Sequence, residues 1–172
     1  MKGLMTDEVL PLLKQNYKMP FILHRTLLTA GAGESFLAER IKDWEEALPA
    51  HIKLAYLPNY GMVKLRLTSH GVDGAALEYE LDTLFLALQE QVKDIMITNE
   101  DLPLEKALGD LLVKRGKSMA TAESCSGGYI AHLVTSIAGS SIYFKGTVVA
   151  YSYDAKETIL GVNHQTLETK GA

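Results

Sequence analysis

The sequence predicts two small units in tandem, an α+β layer over residues 21–98 and an incomplete α/β unit over residues 99–172, led in by a short linking helix within residues 1–20. Three observations carry this. Strand-like and helix-like apolar spacings alternate as β-α-β-β-α-β up to Thr98. After the polar run Thr98-Asn99-Glu100-Asp101 and Pro103 the pattern restarts as α-β-α-β-α, without a closing strand. The 172 residues are 47% hydrophobic and 22% charged, enough for one medium or two small cores and unlike a disordered or fibrous chain.

Thr6 and Asp7 precede Val9, Leu10, Leu12 and Leu13, an N-cap followed by an amphipathic helix, with Pro11 tolerable only near its first turn. Phe21 to Thr29 is an apolar run interrupted by His24 and Arg25, a strand that ends in a loop at Ala30-Gly31-Ala32-Gly33. From about Glu34 to Leu48 the apolar positions Phe36, Leu37, Ile41, Trp44 and Leu48 recur at helical spacing until Pro49. His51 to Leu57 and Met62 to Thr68 flank Pro58-Asn59-Tyr60-Gly61, which predicts a β-hairpin whose wetter face carries Lys53, Lys64 and Arg66. A long helix from about Asp73 to Val92 presents Ala76, Leu77, Tyr79, Leu81, Leu84, Phe85, Leu88 and Val92, and Ile95 to Ile97 forms a last strand.

In the second unit, Leu104 to Lys114 reads as a helix with Leu104, Leu108, Leu111 and Leu112 on one side and Gly116 past its end. Ser118 to Ala122 is a short strand, and Gly127-Gly128 precede a helix from about Tyr129 to Ile137 that Gly139 terminates. Thr147 to Ser152 is β-rich, Asp154 caps a short helix through Leu160, and a helix-like stretch runs to Ala172.

The net charge is −4 and the pI about 5.7, with 10 basic and 13 acidic side chains in residues 1–98 and 7 and 8 in residues 99–172. Neither half is a basic module that would hold nucleic acid non-specifically or sit on an anionic membrane. Ser124 to Phe144 has the length of a membrane span and carries no formally charged side chain, but its serines, threonine, histidine and glycines make it too polar for hydrocarbon. The single cysteine, Cys125, allows no intramolecular disulfide, and no secretory leader pattern opens the sequence, so a cytoplasmic location is expected.

Chemistry concentrates in Thr121-Ala122-Glu123-Ser124-Cys125-Ser126-Gly127-Gly128, which passes from a strand through a hydroxyl-bearing glycine turn into a helix. Free N–H groups at such a helix start can hold a phosphate or a developing oxyanion, although small residues also occupy such turns for packing alone. A serine nucleophile needs a base, and His132, Lys145 and Lys156 are the candidates. Cys125 is the competing nucleophile, or else a small buried apolar residue. His24, His51, His70, His132 and His164 are scattered, without the close spacing of a zinc site, so no metal is expected. Neither a Walker sequence nor a dinucleotide fingerprint is present, and Gly31-Ala32-Gly33 is assigned to fold geometry.

The segments Ala122 to Gly128, Ile137-Ala138-Gly139-Ser140-Ser141, Gly146 to Ser152 and Ala155-Lys156, in this order, resemble the first half of the CinA C-terminal domain, the nicotinamide-nucleotide amidase family. Thr29-Ala30-Gly31-Ala32-Gly33-Glu34-Ser35 and Leu37-Ala38-Glu39-Arg40 resemble the KH-like middle domain of CinA proteins. The resemblance implies a KH-like α+β domain over 21–98 and a truncated α/β amidase domain over 99–172. It implies hydrolysis of nicotinamide mononucleotide, a small-molecule pyridine nucleotide, to nicotinic acid mononucleotide and ammonia in pyridine-nucleotide salvage, with no metal or cofactor. Carried over by position, Ser124 is the nucleophile and Lys156 the general base; Ser126, Gly127 and Gly128 hold ribose phosphate or oxyanion, and Tyr153 lines the pocket. Ser126 stands where the family commonly has threonine, which keeps the hydroxyl.

Family members also carry a nucleotide-hydrolysing domain before the KH-like unit and further strands after the point reached here. The chain is therefore expected to be an internal fragment, inactive by itself and lacking one wall of the pocket. The alternative function is nucleic-acid binding through the KH-like unit, which the net charge of −3 over residues 1–98 opposes. The other alternative is a spacer or dimer-forming scaffold, and a homo-oligomer is expected, with exchange across the cut sheet edge as one route to it.

Overall fold

The computed structural model describes residues 2–17 and 19–171, so Met1 and Lys18 of the expected linking segment and Ala172 of the last helix-like stretch lie outside the described residues. The chain forms two units that divide between Asp101 and Leu102.

The first unit opens with α1 (Lys2–Leu4), a π-helical stretch over Met5–Val9, and α2 (Leu10–Asn16). Helix therefore starts before the expected cap at Thr6-Asp7. Pro11 lies at the start of α2, where its missing N–H interrupts the regular ladder, and the widened turn just before it accommodates that break.

Next come β1 (Phe21–Ala30), α3 (Glu34–Glu46), β2 (Ile52–Asn59), β3 (Met62–Gly71), α4 (Gly74–Val92) and β4 (Met96–Thr98). The strands form one antiparallel sheet in the order β2-β3-β1-β4, with Leu27 opposite Leu65 and Leu54 opposite Leu67. This is the β-α-β-β-α-β order read from the spacing. The period-2 alternation of β3 buries Val63, Leu65, Leu67 and Ser69, and they meet Leu37 and Ile41 of α3 and Leu81, Phe85, Leu88 and Val92 of α4 in one core. Each such fully buried leucine contributes about 1.5–3 kcal/mol. Asp73 caps α4, its carboxylate accepting from Ala76 N at 3.1 Å.

The expected turn shortens to Tyr60 and Gly61, because Pro58 and Asn59 still pair with Val63 and Met62. Pro58 fits there because β2 is an edge strand, where a missing N–H removes no ladder bond. Phe36 and Tyr79, expected on buried stripes, are 59% and 79% exposed; the helical stripe is narrower than the list of apolar residues suggests. Arg25 reaches α4 and donates to Asp82 at 2.6 Å and Glu78 at 3.3 Å. Lys64 and Arg66 lie on the wetter side of β3 as expected, and both approach Asp101, at 2.5 and 3.9 Å.

The second unit contains α5 (Leu104–Lys114), β5 (Met119–Glu123), α6 (Tyr129–Thr135), a 3-10 turn at Ser140–Ile142, β6 (Phe144–Val149), α7 (Tyr153–Leu160) and α8 (His164–Lys170). β5 and β6 pair in parallel, with Ala122 opposite Val148 and Glu123 opposite Val149. β6 lies three residues earlier than the β-rich run suggested, because Ser152 is spent as the N-cap of α7 and accepts from Ala155 N at 3.1 Å. Asp154, the expected cap, instead sits in the first turn, where its charge favours the helix dipole. Gly109, in the middle of α5, is buried against the ring of Tyr143. No described helix is long and apolar enough to cross a membrane.

Candidate active site

The turn Ser124 to Gly128 starts at the carboxyl end of β5. Gly127 and Gly128 have φ of +61° and +94°, left-handed backbone that other L-residues enter at a cost of about 1–2 kcal/mol. At Gly127 an added Cβ meets nothing within 4 Å, so backbone conformation and not crowding calls for glycine there. Gly127 N–H donates to the Ser124 carbonyl at 2.9 Å and Tyr129 N–H to the Ser126 carbonyl at 3.0 Å. Among the described residues no acceptor faces the N–H groups of Cys125, Ser126 and Gly128.

The donors of the helix start proper are not free, contrary to the expectation from sequence. Glu123, only 3% exposed, turns its carboxylate onto them. Its Oε2 accepts from Ile130 N at 3.0 Å and from Ser126 Oγ at 2.9 Å, and its Oε1 from Ala131 N at 2.9 Å. Thr121 Oγ1 at 3.2 Å and Thr147 Oγ1 at 3.3 Å complete the set. Burial raises the carboxyl pKa, but the donations from Ala131 N, Ser126 Oγ, Ile130 N and Thr121 Oγ1 outweigh it and hold the pKa down to about 2. Sequence reasoning assigned Glu123 no role. A signal was available: it is the one formally charged residue between Lys117 and Lys145, and it directly precedes the glycine turn.

Lys156 lies in α7 and is 7% exposed, not a surface lysine. Its Nζ donates to the Tyr151 carbonyl at 2.7 Å and lies 5.9 Å from the centre of the Tyr153 ring. Ala150 N–H donates to the Glu123 carbonyl at 2.9 Å. That bond ties the chain leaving β6 to the residue before Ser124, so the Ser124 turn and the Tyr151 segment both leave the carboxyl ends of paired parallel strands. In open α/β sheets, ligands and reacting groups gather at this end. Among the described residues no hydrogen bond joins Ser124 to Lys156.

The other candidates separate from this end or change character. Lys145 is exposed and enters β6 at its opposite, amino end. His132 is exposed and stacks on Tyr129 with ring centres 6.0 Å apart, not on an apolar face. Cys125 is exposed, not a buried apolar residue, because it follows the strand end where the chain turns outward. Ser126 has its hydroxyl committed to Glu123 and Gly127 its N–H to Ser124, so of the residues expected to hold an anion only Ser126 and Gly128 offer a free N–H. Tyr153 is 48% exposed beside Lys156. In the first unit, a largely apolar cavity of about 760 Å³ bordered by Lys14, Tyr17, Phe21 and Val72 brings no nucleophile and base together. Among the described residues no three histidine, cysteine, aspartate or glutamate side chains converge as metal ligands.

Residues 24–97 match the family model described as the damage-inducible protein CinA KH domain, and residues 101–172 that of the CinA C-terminal domain. A CinA-like protein of Flavobacterium psychrophilum is 48% identical over 168 residues, covering 97% of this chain and 40% of that protein. One of Cytophaga hutchinsonii is 44% identical over 172 residues, covering all of this chain and 41% of that protein. Among solved structures, a competence/damage inducible protein from Agrobacterium tumefaciens is 43% identical over 40% of this chain and 41% of that chain, with a TM-score of 0.39. The chain spans about 40% of the length of the curated relatives it matches.

Proposed function

The chain belongs to the CinA family, and from that premise we propose that its second unit carries the nucleophile and base of a nicotinamide-nucleotide amidase. The observation that supports this reading is that the Ser124 turn, rich in unengaged N–H groups, and the Tyr151 carbonyl that holds the buried Lys156 both follow the carboxyl ends of the paired strands β5 and β6.

Ser124 Oγ attacks the carboxamide carbon of nicotinamide mononucleotide while unprotonated Lys156 Nζ takes its proton. The Tyr151 carbonyl accepts from Nζ and orients it. The carbonyl oxygen becomes an oxyanion held by N–H groups of the turn. Lys156 then returns the proton to the leaving nitrogen, and ammonia departs as the C–N bond breaks. A water molecule, deprotonated by the same lysine, attacks the acyl-Ser124 ester; the acyl C–Oγ bond breaks as Lys156 returns that proton to Ser124 Oγ, and nicotinic acid mononucleotide is released. Turnover is proposed for a protein longer than this chain, given the share of its relatives that it spans.

The test is ammonia release from nicotinamide mononucleotide by the full-length protein. Ser124→Ala and Lys156→Met are each expected to abolish it while the protein stays folded. Undiminished hydrolysis by Ser124→Ala would refute the nucleophile. For the first unit we prefer a scaffold or dimerising role over nucleic-acid binding, because Lys64 and Arg66 on the sheet are already drawn to Asp101.

A further inference from the structure

We propose that Glu123 is a positioning residue for this hydrolysis, acting through the turn that carries Ser124; the inference rests on the amidase reading. Its carboxylate takes the Ile130 and Ala131 N–H groups and the Ser126 hydroxyl. Those left to face the reacting carboxamide are the N–H groups of Cys125, Ser126 and Gly128.

Thr121 comes from β5, Ser126 from the turn, Ile130 and Ala131 from α6, and Thr147 from β6. One buried anion thus fixes the turn against both strands and the helix, with Ser124 the next residue in the chain. Oxyanion stabilisation depends on donors that are already aimed before the charge develops, and a displacement of about 1 Å in such a site can cost about 10²-fold in rate. The same anion closes the start of α6 to the substrate phosphate, since its donors are spent and a negative charge occupies the place. The phosphate is therefore bound away from this helix start, and Glu123 makes no contact with substrate.

Glu123→Gln keeps the shape and removes the charge. Its Oε1 can still accept from Ala131 N and its amide nitrogen can face the rotatable Ser126 hydroxyl, but Ile130 N–H loses its acceptor. In the full-length protein with nicotinamide mononucleotide, we expect kcat to fall about 10- to 100-fold. KM should stay within about twofold, because no substrate contact is removed. Circular dichroism at the assay temperature reports the folded fraction, and kcat is referred to it. Glu123→Asp, which keeps the charge but draws it back by one methylene, should recover part of the rate.

A folded Glu123→Gln protein with wild-type kcat would overturn the proposal, as would a loss confined to KM. If Glu123→Gln does not fold, Ser126→Ala decides the matter: it frees one side of the carboxylate, and unchanged kcat in that variant would overturn the proposal. Wild-type protein that releases no ammonia would instead overturn the amidase reading on which the proposal rests.

Discussion

Gly109→Ala sets helix propensity against packing, and the structure decides the sign. Gly109 is an interior position of α5, where alanine is favoured over glycine by about 0.8–1.0 kcal/mol. An added Cβ, however, would stand 2.5 Å from Tyr143 Oη, 2.7 Å from Cζ and 3.0 Å from Cε1. To reach ordinary contact the ring tip must retreat by about 1 Å. Tyr143 is 4% exposed, its N–H donates to Ser140 O at 3.1 Å, and its carbonyl accepts from Met119 N at 2.8 Å. Moving the ring therefore disturbs the start of the β5–β6 pair. Overpacking of this kind costs about 1–3 kcal/mol, so after the propensity gain the expected net loss is up to about 2 kcal/mol. For a unit of this size that lowers the Tm by up to about 15 °C, read by the thermal loss of ellipticity. In a Tyr143→Leu background the same substitution should be neutral or stabilising by up to about 1 kcal/mol. A single Gly109→Ala variant that melts at or above the wild-type temperature would show that the Tyr143 ring yields at no cost and that packing does not require glycine here.

Two predictions concern pH. Glu123 has a folded pKa of about 2 against an ordinary 4.5, so the folded state binds fewer protons; its contribution is complete above about pH 4.5 and is lost as pH falls towards 2. Acid unfolding followed by ellipticity should show this loss, and Glu123→Gln should flatten that part of the curve; an unaltered slope would contradict it. His164 is raised above 6.5 by its hydrogen bond to Glu157 at 2.6 Å, with Glu168 adding to it, so its contribution is present below pH 6.5 and is lost as pH rises through the folded value. An NMR titration of the imidazole should show the raised pKa in the wild type and a return towards 6.5 in Glu157→Gln; equal values would remove the ion pair from the account.

Local pattern made most of the elements legible. The 3.6 spacing of Leu77, Leu81, Phe85, Leu88 and Val92 placed α4 almost to its ends, and alternation around Leu65 and Leu67 placed β3 and its buried face. Misplacements occurred where one residue had two uses open to it. Ser152 read as the end of a strand but caps α7, and Pro58 read as a turn but continues an edge strand. Apolar character also failed to imply burial at Phe36 and Tyr79, because residue type does not state which way a helix is turned.

The sequence alone specifies the order of elements, the restart near residue 100 and the glycine turn after Ser124; family resemblance adds the expectation that Lys156 is its partner. These are properties of neighbouring residues or of ordered motifs, and such information survives without coordinates. Three dimensions were needed to show that Lys156 is buried on the Tyr151 carbonyl, that Lys145 enters β6 at its amino end, and that Glu123 consumes the donors at the start of α6. The physical reason is that these facts depend on the parallel pairing of β5 with β6, which brings Thr147 and Ala150 to Glu123 across more than twenty residues of chain. A hydrogen-bond network of that span leaves no period in the sequence.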